Sequence, residues 1–191
     1  MEDRARPVPR RAVARAHARP ETRPHATARD AGSFHPYRTP YGVLTIRVDA
    51  DGVTDVALGD VELSGQRRPT GLAARAATQL QEYLAGKRRS FDLPLAPQGS
   101  AFQRKVWEAA RQVPYGTSLT CAQLAAQLGD AEGFRAVGAA LKKNPLAILV
   151  PAHRIVGANG RPLGAGREAR LKEALLKMER AACAREGDGT Q

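Results

Sequence analysis

Cysteine is scarce here, with only Cys121 and Cys183 in 191 residues. Two thiols build no disulfide framework, and no Cys–His cluster stands at zinc-finger spacing, so no metal or cofactor is expected. Long apolar runs are missing too. None approaches the roughly 20 residues that span a bilayer, so no membrane partner is expected and the chain is placed in the cytoplasm. Residues 1–36 have few large apolar side chains and show neither helical nor strand periodicity. A segment with so little apolar surface to bury cannot offset the entropy of ordering it, so a disordered arm is expected there. It holds eight Arg against four acids, and reads either as a DNA-tethering arm or as an extension without a role. Glu2, Asp3 and the absence of an apolar segment argue against a secretory signal.

What is present is enough for one or two domains with real cores, since 42% of the residues are hydrophobic. The formal charge is +11. Residues 37–96 carry only +1 of it, whereas residues 97–191 carry +6. Such a field favours a polyanion, because neutralising phosphates supplies affinity that does not depend on sequence.

From Tyr37 the pattern changes to short strands and turns. Tyr41–Val48 and Val53–Leu58 flank Asp49-Ala50-Asp51-Gly52, a hairpin with Gly where a positive φ is wanted. Leu72, Ala76, Leu80 and Tyr83-Leu84 recur at helical spacing and predict an amphipathic helix over 72–84, stopped by Gly86. Phe91–Leu95 reads as a short edge strand. Residues 37–96 form one domain, and Pro97–Ser100 links it to a second over 97–184, with a loose tail from 185 to 191.

Ser100 is the expected N-cap of a helix over 101–111, whose buried stripe is Phe102, Val106, Trp107 and Ala110. Two short helices follow, at 120–128 and 132–142, separated by Gly129-Asp130-Ala131. That is a helix-turn-helix outline, with Leu124 and Leu128 facing Val137 and Leu141. The second helix is almost bare, Arg135-Ala136-Val137-Gly138-Ala139-Ala140, with one long cation at its front. Gly157–Gly160 is a tight turn, Gly164-Ala165-Gly166 a rim, and 167–182 a last helix with Leu171, Ala174, Leu175 and Met178 inward and Glu179 beside them.

Between these elements lies Asn144-Pro145, an apolar run from Leu146 to Val150, then Pro151-Ala152-His153-Arg154-Ile155-Val156. A proline removes a ladder donor, so a buried strand or extended segment should end at Pro151 and present His153 and Arg154 at the mouth of an apolar seam.

This order, with Phe102–Trp107, Val113-Pro114-Tyr115-Gly116 and Arg135–Gly138, resembles the O6-alkylguanine-DNA alkyltransferases. The resemblance implies an α/β (α+β) fold: a small ribonuclease H-like sheet-plus-helix domain without chemistry, then a winged-helix-like helix-turn-helix domain. It implies that the small-residue helix docks in the DNA minor groove and that Arg135 fills the gap left by a base rotated out of the stack. Thr120, Cys121, Ala136 and Gly138 would accompany Arg135 at the DNA. Pro151, Ala152, Ile155, Ala165 and Gly166 would line the lesion pocket, with main-chain carbonyls of Ala152 and Ile155 reading the guanine edge. His153, Glu179 and Asn144 match the relay that in the family activates a cysteine.

That cysteine is matched here by Ala152. A methyl group has no lone pair and no ionisable proton, so the relay is vestigial and no catalytic residue is expected. Other positions depart as well. Thr120-Cys121-Ala122 matches a Ser-Tyr motif, Ala165 matches a Tyr of the rim, and Glu132-Gly133-Phe134 stands where small and basic residues are usual. The set is similar to the alkyltransferase-like proteins, which bind O6-alkylguanine without repairing it and pass it to nucleotide excision repair. The expected function is thus a monomeric, non-catalytic binder of duplex DNA containing O6-alkylguanine, nucleoid-associated when bound. Two alternatives stay open: a methyltransferase using Cys121, and a DNA-binding regulator that has lost the pocket.

Overall fold

The computed structural model describes residues 32–187. The disordered-arm expectation for residues 1–31 and the loose-tail expectation for residues 188–191 lie outside them. Strands β1 (Ser33–Thr39), β2 (Gly42–Val48), β3 (Val53–Leu58) and β4 (Gln66–Arg67) form a sheet in the order β3-β2-β1-β4. The expectation of disorder over residues 33–36 fails, because Ser33–Pro36 lie in β1. The sequence hides this strand behind Pro36, which cannot donate to a ladder. It is tolerated because β4 pairs only with Ser33 and Phe34, so at Pro36 the strand is locally an edge.

Helix α1 (Gly71–Leu84) starts at Thr70, whose hydroxyl accepts from the Ala73 amide. Its buried face is mostly alanine, Ala73, Ala76 and Ala77, with Leu80, Tyr83 and Leu84. Small side chains let the helix lie close on Leu44, Ile46 and Val56 of the sheet. Phe91–Leu95 does not form the expected strand. Pro94 has no amide hydrogen, so pairing reduces to Val53 donating to the Pro94 carbonyl and Ala96 donating to Val53. The buried Gln79 amide holds the segment from the other side, donating to Asp92 O and accepting from Asp92 N.

Helix α2 (Ala101–Arg111) opens with a full capping box between Ser100 and Gln103. Val106, Trp107 and Ala110 are buried as expected, but Phe102 is 42% exposed because it sits in the first turn, ahead of the packed stripe. Strand β5 (Leu119–Thr120) leads into α3 (Cys121–Gln127), again capped by a box, Thr120 with Gln123. A 3-10 turn (Ala131–Gly133) precedes α4 (Phe134–Lys142), so the second helix of the motif begins two residues later than expected. A second 3-10 turn (Ala152–Arg154) is followed by β6 (Ile155–Val156), parallel to β5. The last helix, α5 (Gly166–Gly187), is longer at both ends than the periodicity indicated and takes in residues 185–187 of the expected tail. The chain is thus a mixed α/β molecule, an N-terminal sheet domain followed by a helical domain. Among the described residues no helix is long and apolar enough to cross a membrane.

Candidate functional site

The run Leu146–Val150 is not a strand but a tight buried turn, and its shape is set by Asn144. The Asn144 side chain accepts from Leu146 N at 3.0 Å and donates to the carbonyls of Leu146 (3.2 Å) and Val150 (3.4 Å). The turn closes through Val150 N to Leu146 O and forces Ile148 to φ 71°. A β-branched residue in the left-handed region costs on the order of 1–3 kcal/mol, and it persists only where surroundings over-determine it. Here they do: Val56 of β3 donates to Pro145 O and accepts from Ala147 N, so the sheet domain grips the turn.

Behind the turn lies a polar cluster. Glu179 is fully buried and accepts from His153 Nε2 at 2.8 Å, from Arg154 Nε and Nη2 at 2.9–3.1 Å, and from Gly116 N at 2.9 Å. It also accepts from the Tyr83 hydroxyl. Arg154 further donates to Val113 O at 2.6 Å and its guanidinium lies 5.6 Å from the Tyr115 ring centre. Burial by itself would raise the Glu179 carboxyl, but the hydrogen bonds from His153 and Arg154 outweigh it and hold the group at about 2. Burial lowers the His153 imidazole despite its bond to Glu179. Glu179 is therefore ionised and His153 neutral near pH 7. Because the acceptor on the Nε2 side is a carboxylate, the imidazole proton sits on Nε2 and Nδ1 keeps a bare lone pair.

Two of these partners correct the sequence reading. Arg154 is not at a surface mouth: it is 6% exposed and is the counter-charge of the cluster. Tyr83 comes from α1, so the sheet domain, expected to hold no chemistry, supplies a buried hydroxyl to the cluster. Its spacing in the sequence marked it as core, and an isolated helix gives no sign of a partner 96 residues away. Gly116, part of the Val113-Pro114-Tyr115-Gly116 motif, supplies the backbone donor to Glu179. Its φ of 78° favours glycine, and a Cβ there would stand 2.6 Å from Cys183 Sγ.

A cavity of about 350 Å³ opens in front of the cluster, between β3, the end of α4, the Asn144 turn and α5; its wall includes Asn144, Ala147, Ala152, His153, Leu171 and Lys172. Of the five residues expected to line a pocket, Ala152 does so. Pro151 faces a separate cleft beside Arg89 and Arg154, and the Ile155 side chain is fully buried. Ala165 and Gly166 are exposed at the start of α5, outside this cavity.

Helix α4 presents Phe134, Arg135, Ala136 and Ala139 outward, Gly138 half-buried, and only Val137, Ala140 and Leu141 inward. The Arg135 guanidinium rests 5.6 Å from the Phe134 ring. Trp107 anchors this helix from below, donating Nε1–H to Ala140 O at 2.9 Å. Thr120 uses its hydroxyl to cap α3. Cys121, expected at the DNA-facing surface, is instead buried at the base of α3, because the first turn of the helix packs that side inward toward α4. Its burial pushes the thiol up.

Fold and site define a two-domain helix-turn-helix protein in which a buried charge cluster backs a small cavity. The chain belongs to the O6-methylguanine DNA methyltransferase family. Residues 34–97 match the family's ribonuclease-like domain and residues 101–181 its DNA binding domain. The chain is 40% identical over 151 residues to the constitutive methylated-DNA-protein-cysteine methyltransferase of Bacillus subtilis, covering 74% of this chain and 92% of that protein. It is 46% identical over 104 residues to the methylated-DNA-protein-cysteine methyltransferase of Methanosarcina acetivorans, covering 54% and 67%. The crystal structure of Mycobacterium tuberculosis OGT in complex with DNA superposes with a TM-score of 0.72 at 33% identity, covering 78% of this chain and 94% of that one.

Proposed function

We propose that this protein binds O6-alkylguanine in duplex DNA without removing the alkyl group, and so marks the lesion for nucleotide excision repair proteins. The observation that carries the reading is Ala152, on the wall of a cavity that also holds Asn144 and His153, the latter bonded to Glu179. The relatives are named for transfer to cysteine, and at the motif position where that sulfur is expected this chain has a methyl group with nothing to donate to carbon. What remains is binding. An outward helix faced with alanine fits a narrow minor groove, and Arg135 at its front is free of ion pairing to acids among the described residues and can enter the base stack. Extruding a base costs a few kcal/mol, less when alkylation has weakened its pairing, which gives preference for the lesion.

Transfer to Cys121 is a weaker reading, because a nucleophile has to be an accessible thiolate and this thiol is buried and pushed up. Titration of duplexes containing O6-methylguanine or guanine, at two salt concentrations, tests the proposal. Tighter binding of the lesion, with no label moved from methyl-labelled DNA to protein, is the expected result. Equal affinity for both duplexes ends the lesion reading, preference for one undamaged operator replaces it with a regulator, and label on Cys121 replaces it with an enzyme.

A further inference from the structure

We propose that His153 has become a reader of the O6 substituent, with Nδ1 accepting a hydrogen bond from the alkyl group, so that hydroxyalkyl adducts are the favoured ligand class. The proposal rests on the lesion-binding reading and adds the chemistry of the bound group.

The imidazole has two edges and one is committed. Nε2 lies 2.8 Å from Glu179 and 3.1 Å from the Tyr83 hydroxyl, both fully buried groups. The ring also lines the cavity, so Nδ1 is the nitrogen left for a ligand there, and the tautomer imposed by Glu179 makes it an acceptor. In a protein with a thiol at position 152 such a lone pair would serve the sulfur. With Ala152 there, the space beside it is open and the acceptor has no donor on that side chain.

The other polar side chains around the cavity do not compete. Both ends of the Asn144 amide are used by the turn. Lys172 Nζ is held by Glu168 and by the Leu163 carbonyl, and it is a donor in any case. Asp55 and Glu168 carry acceptors, but their side chains are 31% and 50% exposed and are paired with Arg47 and Lys172. A hydroxyl moved from water to such a rim exchanges one good partner for another. A lone pair on a residue only 2% exposed gains more, because the water it gives up is less freely available than at the rim.

The test compares equilibrium binding of the full chain to duplexes that differ only in the O6 group: methyl, propyl, 2-hydroxyethyl and 2-methoxyethyl, with guanine as reference. Propyl and hydroxyethyl have nearly the same shape, whereas methoxyethyl is polar but has no donor. The expected result is hydroxyethyl binding about 3- to 10-fold tighter than propyl, with methoxyethyl no tighter than propyl. Equal binding of hydroxyethyl and propyl, both above guanine, overturns the role of His153 and leaves lesion recognition standing. Methoxyethyl matching hydroxyethyl also overturns it, since general polarity would then suffice. No adduct above guanine is the failure of lesion recognition itself. Because only the DNA changes, the outcome does not depend on a variant of a buried histidine folding.

Discussion

Glu179→Gln exchanges a buried carboxylate for a neutral amide of nearly the same shape, and its cost can be worked from the buried pair it breaks. Arg154 is 6% exposed and its charge is balanced by Glu179. Breaking a buried pair by removing one partner costs about 3–5 kcal/mol, because the other charge stays behind uncompensated. The amide also brings its own donors to a place where Tyr83, His153, Arg154 and Gly116 all donate, so at least one donor is left facing another. The same bonds hold the carboxyl at about 2, below its ordinary 4.5, so the ionised form is stabilised on folding, in the direction this cost requires. Urea unfolding at pH 7 should therefore show a loss of about 3–5 kcal/mol in the variant. The pH dependence separates charge from packing. Glu179 titrates lower folded than unfolded, so its contribution is complete above pH 4.5 and is lost as the pH falls toward 2. His153, also lowered on folding, adds a loss that begins as the pH drops below 6.5, when the unfolded chain takes up its proton first. The variant should lack the part between 4.5 and 2. A loss below about 1 kcal/mol, or identical acid profiles for the two proteins, would refute the assignment of Glu179 as the centre of the cluster.

Tyr83→Phe removes the hydroxyl that joins α1 to Glu179 and should cost about 1–2 kcal/mol by urea unfolding, with no cavity created. Trp107→Phe deletes the donor to Ala140 O and leaves that buried carbonyl without its indole partner; a loss of about 1–3 kcal/mol is expected, accompanied by weaker DNA binding because α4 is no longer held. Arg135→Ala, at an exposed position, should leave the unfolding curve within about 0.5 kcal/mol of the parent. It should reduce affinity for the lesion duplex about tenfold or more in a fluorescence-anisotropy titration, and less for undamaged DNA. Ala152→Cys restores a sulfur beside an intact relay; weak or no methyl transfer is expected from labelled DNA, because Cys121 and Ala165 still replace the two tyrosines, and robust turnover would show that those aromatics matter little.

Much of the architecture could be read directly. Ser100 as an N-cap announces α2, and the spacing of Val106, Trp107 and Ala110 gives the face that packs, whereas Thr120, expected inside α3 and at the DNA, is its cap. What escaped were features whose cause is remote. Pro36 masks β1 because its tolerance depends on how short β4 is. The apolar run at 146–150 looks extended, yet Asn144 and the β3 backbone fold it into a turn with Ile148 at positive φ. Cys121 looks as exposed as its polar neighbours, yet helix phase puts it inward.

The sequence alone determined the family pattern and that Ala152 stands between Pro151 and His153, because covalent chemistry depends on which atoms are present. It determined the capped helices as well, since caps and periodicity act over a few residues. Only the tertiary structure decided the state of the site. Tyr83, Gly116, Arg154 and Glu179 converge from four separate segments, and their convergence fixes the charge on Glu179 and commits Nε2 of His153. Desolvation and hydrogen bonding belong to positions in space, and no local stretch of chain encodes them.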